Sequence, residues 1–511
     1  MADGSIGQCE SPFRHAPRGG GDQGPPLSDL PALTVIPAIC NRMNYVSKLL
    51  LNLARMGAAP TAVAGRRPRT EILGGMRMST ITAAARPIPW WREPTKDQWL
   101  AYVAAWLGWM LDAFDFTIFL LIMVPIASEF NIPLVDVLAV FTVTLWLRLI
   151  GATASGWLAD RVGRKIPLMI SILWYSICNF IAGFSPSFWF LFVFRALLGI
   201  GMGAEWPAGA ALAMESWPAR SRGLMSGMLQ GSWGLGFLLS SAVYGLLFQQ
   251  LGWRGLLWIG ILPALVVLYI RKFVKEPEVW KENRHKQRQQ NREFRVPLLE
   301  IFRPRVLPNT LTACLWMGSS FVTYYTVFGL FATHLQKDLG FGPGSVALPL
   351  ALANAMTFLS SCIWGSVADR IGRRWAMIIP ALIGILITPF YLGLVTTSYP
   401  LLVIAFTVQG FFVGSIYGQN PAYLNERFPT EVRATAAGFC YHQGAIWGGL
   451  CGPLLGAWAA TQPSGFVMPM LITTTVALLV FALALLLGPE TKGRMLVSDI
   501  ELADTRQQVR G

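Results

Sequence analysis

Charge is scarce in this chain: of 511 residues only 13% are Asp, Glu, Lys or Arg, against 54% hydrophobic, with a mean hydropathy of +0.48. A water-soluble core does not need so much apolar surface, so that class is excluded. Cysteine is sparse as well, and its seven copies show no metal-ligand spacing. Cys178, Cys314, Cys362, Cys440 and Cys451 fall inside apolar runs, where thiols act as small core residues, so neither a disulfide nor a metal site is expected. No G-x-x-x-x-G-K-[ST] loop is present to cradle nucleotide phosphates, so ATP does not drive the protein by itself and no cofactor is implied beyond a coupling ion. HExxH, GxSxG and a paired Cys-His set are also missing, which leaves an enzyme without its chemistry. The net charge of +14 does not point to nucleic acid, because the basic residues recur in short clusters between apolar runs and not in one stripe interleaved with aromatics.

What the chain has instead is long apolar runs. Leu100 to Ser128, Leu256 to Ile270 and Ala477 to Leu487 are long enough, or nearly so, to cross about 30 Å of hydrocarbon, and lipid cannot satisfy an open sheet edge, so helices are implied. The pattern predicts twelve spans, at roughly 99–127, 136–158, 166–184, 187–213, 223–248, 255–271, 307–333, 345–367, 375–395, 400–424, 434–460 and 466–487. Alternate loops on one side carry Arg161, Arg164, Lys165, Arg220, Arg222, Arg370, Arg373, Arg374, Arg427 and Arg433, while the other side has Arg254 and Lys337. By the positive-inside rule both termini and the basic central loop are expected in the cytoplasm, with the chain in the plasma (inner) membrane. The expected division is a cytoplasmic tail over 1–95, a six-helix bundle over 96–271, a central cytoplasmic loop over 272–306, a second bundle over 307–488 and a second tail over 489–511.

Residues 1 to about 77 are rich in Gly, Pro and Arg, and Val46 to Gly65 is interrupted by Lys48 and Arg55, which is no convincing signal peptide. A disordered tail and an Arg-rich targeting peptide are both open readings. The preferred one starts the protein at Met76 or Met78.

The two halves repeat one another. Gly156-Trp-Leu-Ala-Asp160-Arg161-Val-Gly163-Arg164-Lys165 recurs 209 residues later as Gly365-Ser-Val-Ala-Asp369-Arg370-Ile-Gly372-Arg373-Arg374. Glu215-Ser-Trp-Pro218-Ala-Arg-Ser-Arg222 recurs 211 residues later as Glu426-Arg-Phe-Pro429-Thr-Glu-Val-Arg433. Two motifs at nearly one spacing imply two similar bundles from an internal duplication. In physical terms the glycines let helix ends approach closely, and Asp160 is placed to sit at a helix N-terminus or pair with a neighbouring Arg.

On these motifs the chain after residue 96 resembles the major facilitator superfamily. The resemblance implies an all-α membrane protein with the major-facilitator fold: twelve transmembrane helices in two pseudo-symmetric six-helix bundles. It further implies that Gly156, Asp160, Arg161, Gly163, Arg164, Glu215 and Arg222, with Gly365, Asp369, Arg370, Gly372, Arg373, Glu426 and Arg433, latch the halves together on the cytoplasmic side.

Ionisable residues inside spans need a reason, since each costs roughly 2.5–3.5 kcal/mol to insert. The first span carries Asp112 and Asp115, the second Arg148, the fourth Arg195 and Glu205, and the eleventh His442 beside Gln443. Phe406 and Ile416 stand where the repeat would place partners of Arg195 and Glu205, so these charges are not required to build a six-helix bundle. One reading makes them permanent ion pairs. The other makes an Arg the receiver of an anionic substrate while a carboxylate takes up a proton, and it adds Gln230 of the fifth span, His442 and Gln443 to the lining.

That fifth span lacks the Gly-Pro signature of the superfamily's drug–proton antiporters. The closer resemblance is to its sialate and lactate proton-symporter branch, through Asp-Ala-Phe-Asp115-Phe, Leu147-Arg148, Arg195-Ala-Leu-Leu-Gly-Ile-Gly-Met-Gly-Ala-Glu205-Trp, Glu215-Ser-Trp-Pro218 and Gly252-Trp-Arg254. This implies a monomeric secondary transporter in the lipid bilayer, taking up a small organic anion with protons and binding no nucleic acid. Pro489-Glu-Thr-Lys-Gly493 resembles the closing motif of sugar porters and keeps a sugar:proton symporter as the alternative. A non-transporting receptor is the alternative of a different class.

Overall fold

The first span begins where its sequence caps it. The Thr95 hydroxyl accepts from the Gln98 amide, and the Gln98 side chain accepts in return from the Thr95 amide, satisfying two of the donors a helix start leaves open. From there α1 (Lys96–Phe130) runs 35 residues, about 50 Å at 1.5 Å per residue, and stops where Asn131 turns left-handed at φ 50°.

In the computed structural model, residues 89–291 and 297–497 are described, side chains at 134, 135, 343 and 344 excepted. The tail over 1–95 thus lies almost wholly outside the described residues, as does most of the stretch after Leu487. After α1 come α2 (Leu134–Val162), α3 (Lys165–Ala182), α4 (Phe188–Ser216), α5 (Arg222–Ile259) and α6 (Ala264–Phe273). A polar helix, α7 (Glu278–Gln289), occupies the central loop. The second half comprises α8 (Leu307–Tyr324), α9 (Phe331–Lys337), α10 (Pro343–Ile371), α11 (Arg373–Pro389), α12 (Tyr399–Ser415), α13 (Asn420–Arg427), α14 (Arg433–Ala459) and α15 (Val467–Leu487).

Among the described residues nine helical segments are long and apolar enough to cross a membrane. One of these, Ala219–Phe273, is 55 residues long and breaks at Gly252, whose φ of 61° and ψ of −174° suit glycine alone. It therefore makes two crossings, and the helical stretches 307–337 and Arg433–Ala459 complete the twelve. The outer surface is that of a membrane protein: Val124, Ile150, Leu246, Leu386 and Leu454 are all more than half exposed, which hydrocarbon favours and water does not.

Three spans of the second half are not simple rods. The seventh and ninth pass through π-helical turns at Tyr325–Gly329 and Phe390–Leu394, and the tenth is interrupted between α12 and α13. Across the halves α2 packs along α14 and α5 along α10, equivalent pairings under the internal repeat. Those two seams position everything that follows.

Candidate functional site

At the basic end of the bundle each repeat motif forms the same clasp. Gly163 and Gly372 turn the chain at φ 114° and 107°, a region L side chains rarely enter. The turn aims the amides of Arg164 and Lys165 at the Glu276 carboxylate (2.7 and 2.9 Å), and those of Arg373 and Arg374 at Glu490 (2.9 and 3.1 Å). Burial lifts the Glu276 carboxyl above its ordinary range, against the pull of those two amides.

Asp160 crosses to the other half, where it accepts from the amides of Ala434 and Thr435 (3.1 and 2.9 Å) and the Thr435 hydroxyl (2.7 Å) at the start of α14. Asp369 does the same at the start of α5, accepting from Gly223 and Leu224 at 2.9 and 3.0 Å. Both carboxylates thus sit on open helix N-termini, where the dipole favours them. Gly156 and Gly365 permit the approach, since a Cβ on either would come within 2.6 Å of a backbone oxygen of the opposite half.

The buried Glu–Arg pairs exchange partners between the halves. Glu215 takes Arg164 of its own half at 2.7 and 3.0 Å and Arg433 of the other at 2.8 Å. Glu426 takes Arg373 at 3.1 Å through each of two nitrogens, and Arg222 at 3.2 Å. Burial opposes charge on Arg164, yet Glu215 and Asp160 overcome it and hold the guanidinium above its ordinary value. Arg161 and Arg370, expected in the latch, take no part in these contacts: Arg161 lies over the Trp157 ring at 5.2 Å, and Arg370 is exposed.

At mid-bundle the acidic residues of α1 go to different partners. Arg148 Nη2 donates to Asp112 Oδ1 at 2.9 Å, with its guanidinium over the rings of Phe116 and Trp233 at 4.9 and 5.6 Å. Asp115 accepts from Asn179 of α3 at 3.1 Å, and Asn179 accepts from Arg195 at 3.0 Å. The helices meet closely here, as a Cβ on Gly203 of α4 would sit 2.0 Å from the Arg148 carbonyl oxygen. Glu205, on the same helix, is 1% exposed and among the described residues has no hydrogen-bond partner on either oxygen. Among the same residues Asp112 Oδ2, Asp115 Oδ2 and Arg148 Nε are also without one.

Aromatic rings from both halves close around Arg148. Gln230 of α5 accepts from Trp206 at 3.2 Å and donates to Tyr441 of α14 at 3.0 Å, and the Trp206 and Tyr441 rings stack at 4.0 Å. Trp233 donates to Tyr324 of α8 at 3.2 Å and lies 4.8 Å from Trp109. His442 is buried and directs Nδ1 at the Gly438 carbonyl, and its Nε2 has no partner among the described residues. Gln443, expected in the same lining, does not join this cluster. It donates to the carbonyls of Cys314 and Cys440 at 2.7 and 3.0 Å, accepts from the outward-facing Trp447, and lines a groove of about 600 Å³ between α8, α14 and α15.

From sequence alone Asn179, Tyr441 and Glu276 have no role, and Trp206 and Glu490 stand out only as members of longer motifs. Trp206 and Tyr441 flank Glu205 and His442 in sequence, and the two glutamates lie 214 residues apart, close to the repeat spacing. Those were the available signals.

A family model described as Major Facilitator Superfamily matches residues 105–333 and 317–501. The chain is 29% identical to a probable 4-methylmuconolactone transporter of Cupriavidus pinatubonensis, over 79% of this chain and 93% of that one. It is 28% identical to the sialic acid transporter NanX of Escherichia coli, over 80% of this chain and 97% of that one. Among solved structures, the proton:xylose symporter XylE bound to 6-bromo-6-deoxy-D-glucose superposes with a TM-score of 0.63 at 19% identity, covering 78% of this chain and 98% of that one.

Proposed function

The chain belongs to the Major Facilitator Superfamily, as a multi-pass membrane transporter of small molecules and not an enzyme, and on that premise we propose that it takes up an organic anion together with a proton by alternating access. The observation that carries this reading is Arg148, a buried guanidinium between the halves that gives one nitrogen to Asp112 and whose Nε has no partner among the described residues. Guanidinium offers five donors in a fork that matches a carboxylate, so a second carboxylate finds donors without displacing Asp112. Phe116, Trp109, Trp233 and Tyr441 then face the body of the ligand. Such walls favour an acid with a ring or an unsaturated skeleton over one as small as lactate. An anion entering a dry site draws a proton to a nearby carboxyl, which is the coupling a symporter needs.

In this reading the basic end faces the cytoplasm, as the excess of Lys and Arg there favours, in a plasma (inner) membrane. The twofold clasp of Asp160 and Asp369 closes the inner gate, with Glu215, Glu426 and their arginines. Glu490 of the sugar-porter-like motif serves that gate by capping α11, so the motif is accounted for without a sugar.

Tryptophan fluorescence of the purified protein tests the substrate class directly, because Trp109, Trp206 and Trp233 line the site. Nicotinate and sialic acid are expected to bind at least about tenfold more tightly than lactate, the effect of roughly 1.4 kcal/mol of ring contact. Xylose is expected to leave the signal unchanged. Saturation by xylose with no response to either acid overturns the proposal.

A further inference from the structure

Among the described residues, Glu205 is the acid of the mid-bundle cluster that has no partner at all. Its carboxyl lies in the seam of α1 and α4, where a Cβ on Gly108 would be 2.6 Å from Oε1 and one on Gly209 would be 3.1 Å from it. The side chains of Ile172 and Leu168 from α3 complete the apolar wall. The charged and titratable groups facing it are Asp112 on α1, one helical turn beyond Gly108, Arg148 on α2, and Tyr175 on α3, whose hydroxyl is also unpartnered. A lone carboxylate in such a pocket pays the full penalty of desolvation, and binding a proton removes it. Asp112 and Asp115 differ, because Arg148 holds the first and Asn179, backed by Arg195, the second.

We propose that Glu205, and neither Asp112 nor Asp115, carries the transported proton. This rests on the reading of the protein as a proton-coupled carboxylate transporter and names the acid that does the coupling. Arg148 is the cation available to an ionised Glu205, and it is also the receiver of the substrate. Substrate on Arg148 therefore requires the proton to stay on Glu205, and loss of substrate lets Glu205 release it. The proton comes from the outer solvent, rides on a carboxyl oxygen and leaves on the inner side. For a monovalent anion the carrier then crosses with the same charge in both directions.

Two measurements on protein in liposomes test this. In infrared spectra the wild type is expected to show a protonated-carboxyl C=O band that disappears in Glu205→Gln and persists in Asp112→Asn and Asp115→Asn. In transport, Glu205→Gln is expected to lose pH-driven accumulation of sialic acid at least tenfold more than it loses exchange of sialic acid at equal pH. Glu205→Asp, which keeps a carboxyl, is expected to regain both band and accumulation, and so separates the proposal from a folding defect. Survival of the band in Glu205→Gln, or accumulation by that variant at the wild-type level, overturns the proposal. If the wild type accumulates neither sialic acid nor nicotinate, the functional reading falls, and the infrared comparison still decides whether Glu205 holds a proton.

Discussion

Arg148→Ala is expected to weaken binding of nicotinate and sialic acid by at least about 100-fold, as read by tryptophan fluorescence. Charge-assisted hydrogen bonds contribute roughly 1.5–3 kcal/mol each, and a carboxylate on the fork uses two of them. The substitution also strands Asp112, now a fully buried carboxylate without its 2.9 Å partner, and breaking a buried pair destabilises a protein by about 3–5 kcal/mol. Thermal stability should fall with affinity. Arg148→Lys separates the two effects: it restores a cation for Asp112 and with it most of the stability, but a lysine is a point charge without the fork, so affinity recovers only in part. Unchanged acid binding in Arg148→Ala would remove Arg148 from the site.

Asp160→Ala is expected to unfasten the basic end. The carboxylate now accepts three hydrogen bonds from Ala434 and Thr435 and pairs with Arg164 at 3.1 Å. Losing even two of these, at about 1–1.5 kcal/mol each, shifts the balance between closed and open gate by about 30- to 150-fold. Hydrogen exchange reads this at the amides of Ala434 and Thr435, whose protection should drop by that factor. If the halves part as units, the amides of Gly223 and Leu224, held by Asp369 some way across the repeat axis, lose protection as well. Loss at Ala434 and Thr435 alone would make Asp160 a local cap and not a gate.

The parts of this arrangement that were legible in the sequence are those that repeat or that break an apolar run. The duplicated Gly-Asp-Gly-Arg motif marks the clasp because its glycines and carboxylate answer to backbone geometry, which constrains residue type strongly. Arg148 and Asp112 stood out because a charge in a span must have a partner. What stayed hidden is neutral or isolated. Asn179 bridges Asp115 to Arg195, and nothing about an amide in a span demands notice. Glu276 is a single acid in a loop and Glu490 stood out only as part of Pro489-Glu-Thr-Lys-Gly493, and the meaning of both depends on which helix start folds against them. Gln443 follows His442 in sequence, but one residue is about 100° around a helix, enough to turn it from the centre toward the lipid-facing groove. Asp112 and Asp115 are three residues apart and so lie on one face of α1, yet α2 reaches one and α3 the other. The π-helical turns of the seventh and ninth spans leave no trace in hydropathy, which records polarity and not hydrogen-bond register.

Coupling of one proton to one organic anion is read from uptake into liposomes at set pH and set potential. With sialic acid as the probe and protein-free liposomes as the blank, a monovalent anion moving with one proton carries no net charge. Each unit of inward pH gradient, roughly 1.4 kcal/mol, then supports about tenfold accumulation. A potential of 100 mV would add about 2.3 kcal/mol per net charge, and so adds nothing here. Accumulation is expected to follow the pH gradient and ignore the potential. Accumulation that ignores the pH gradient would contradict the coupling.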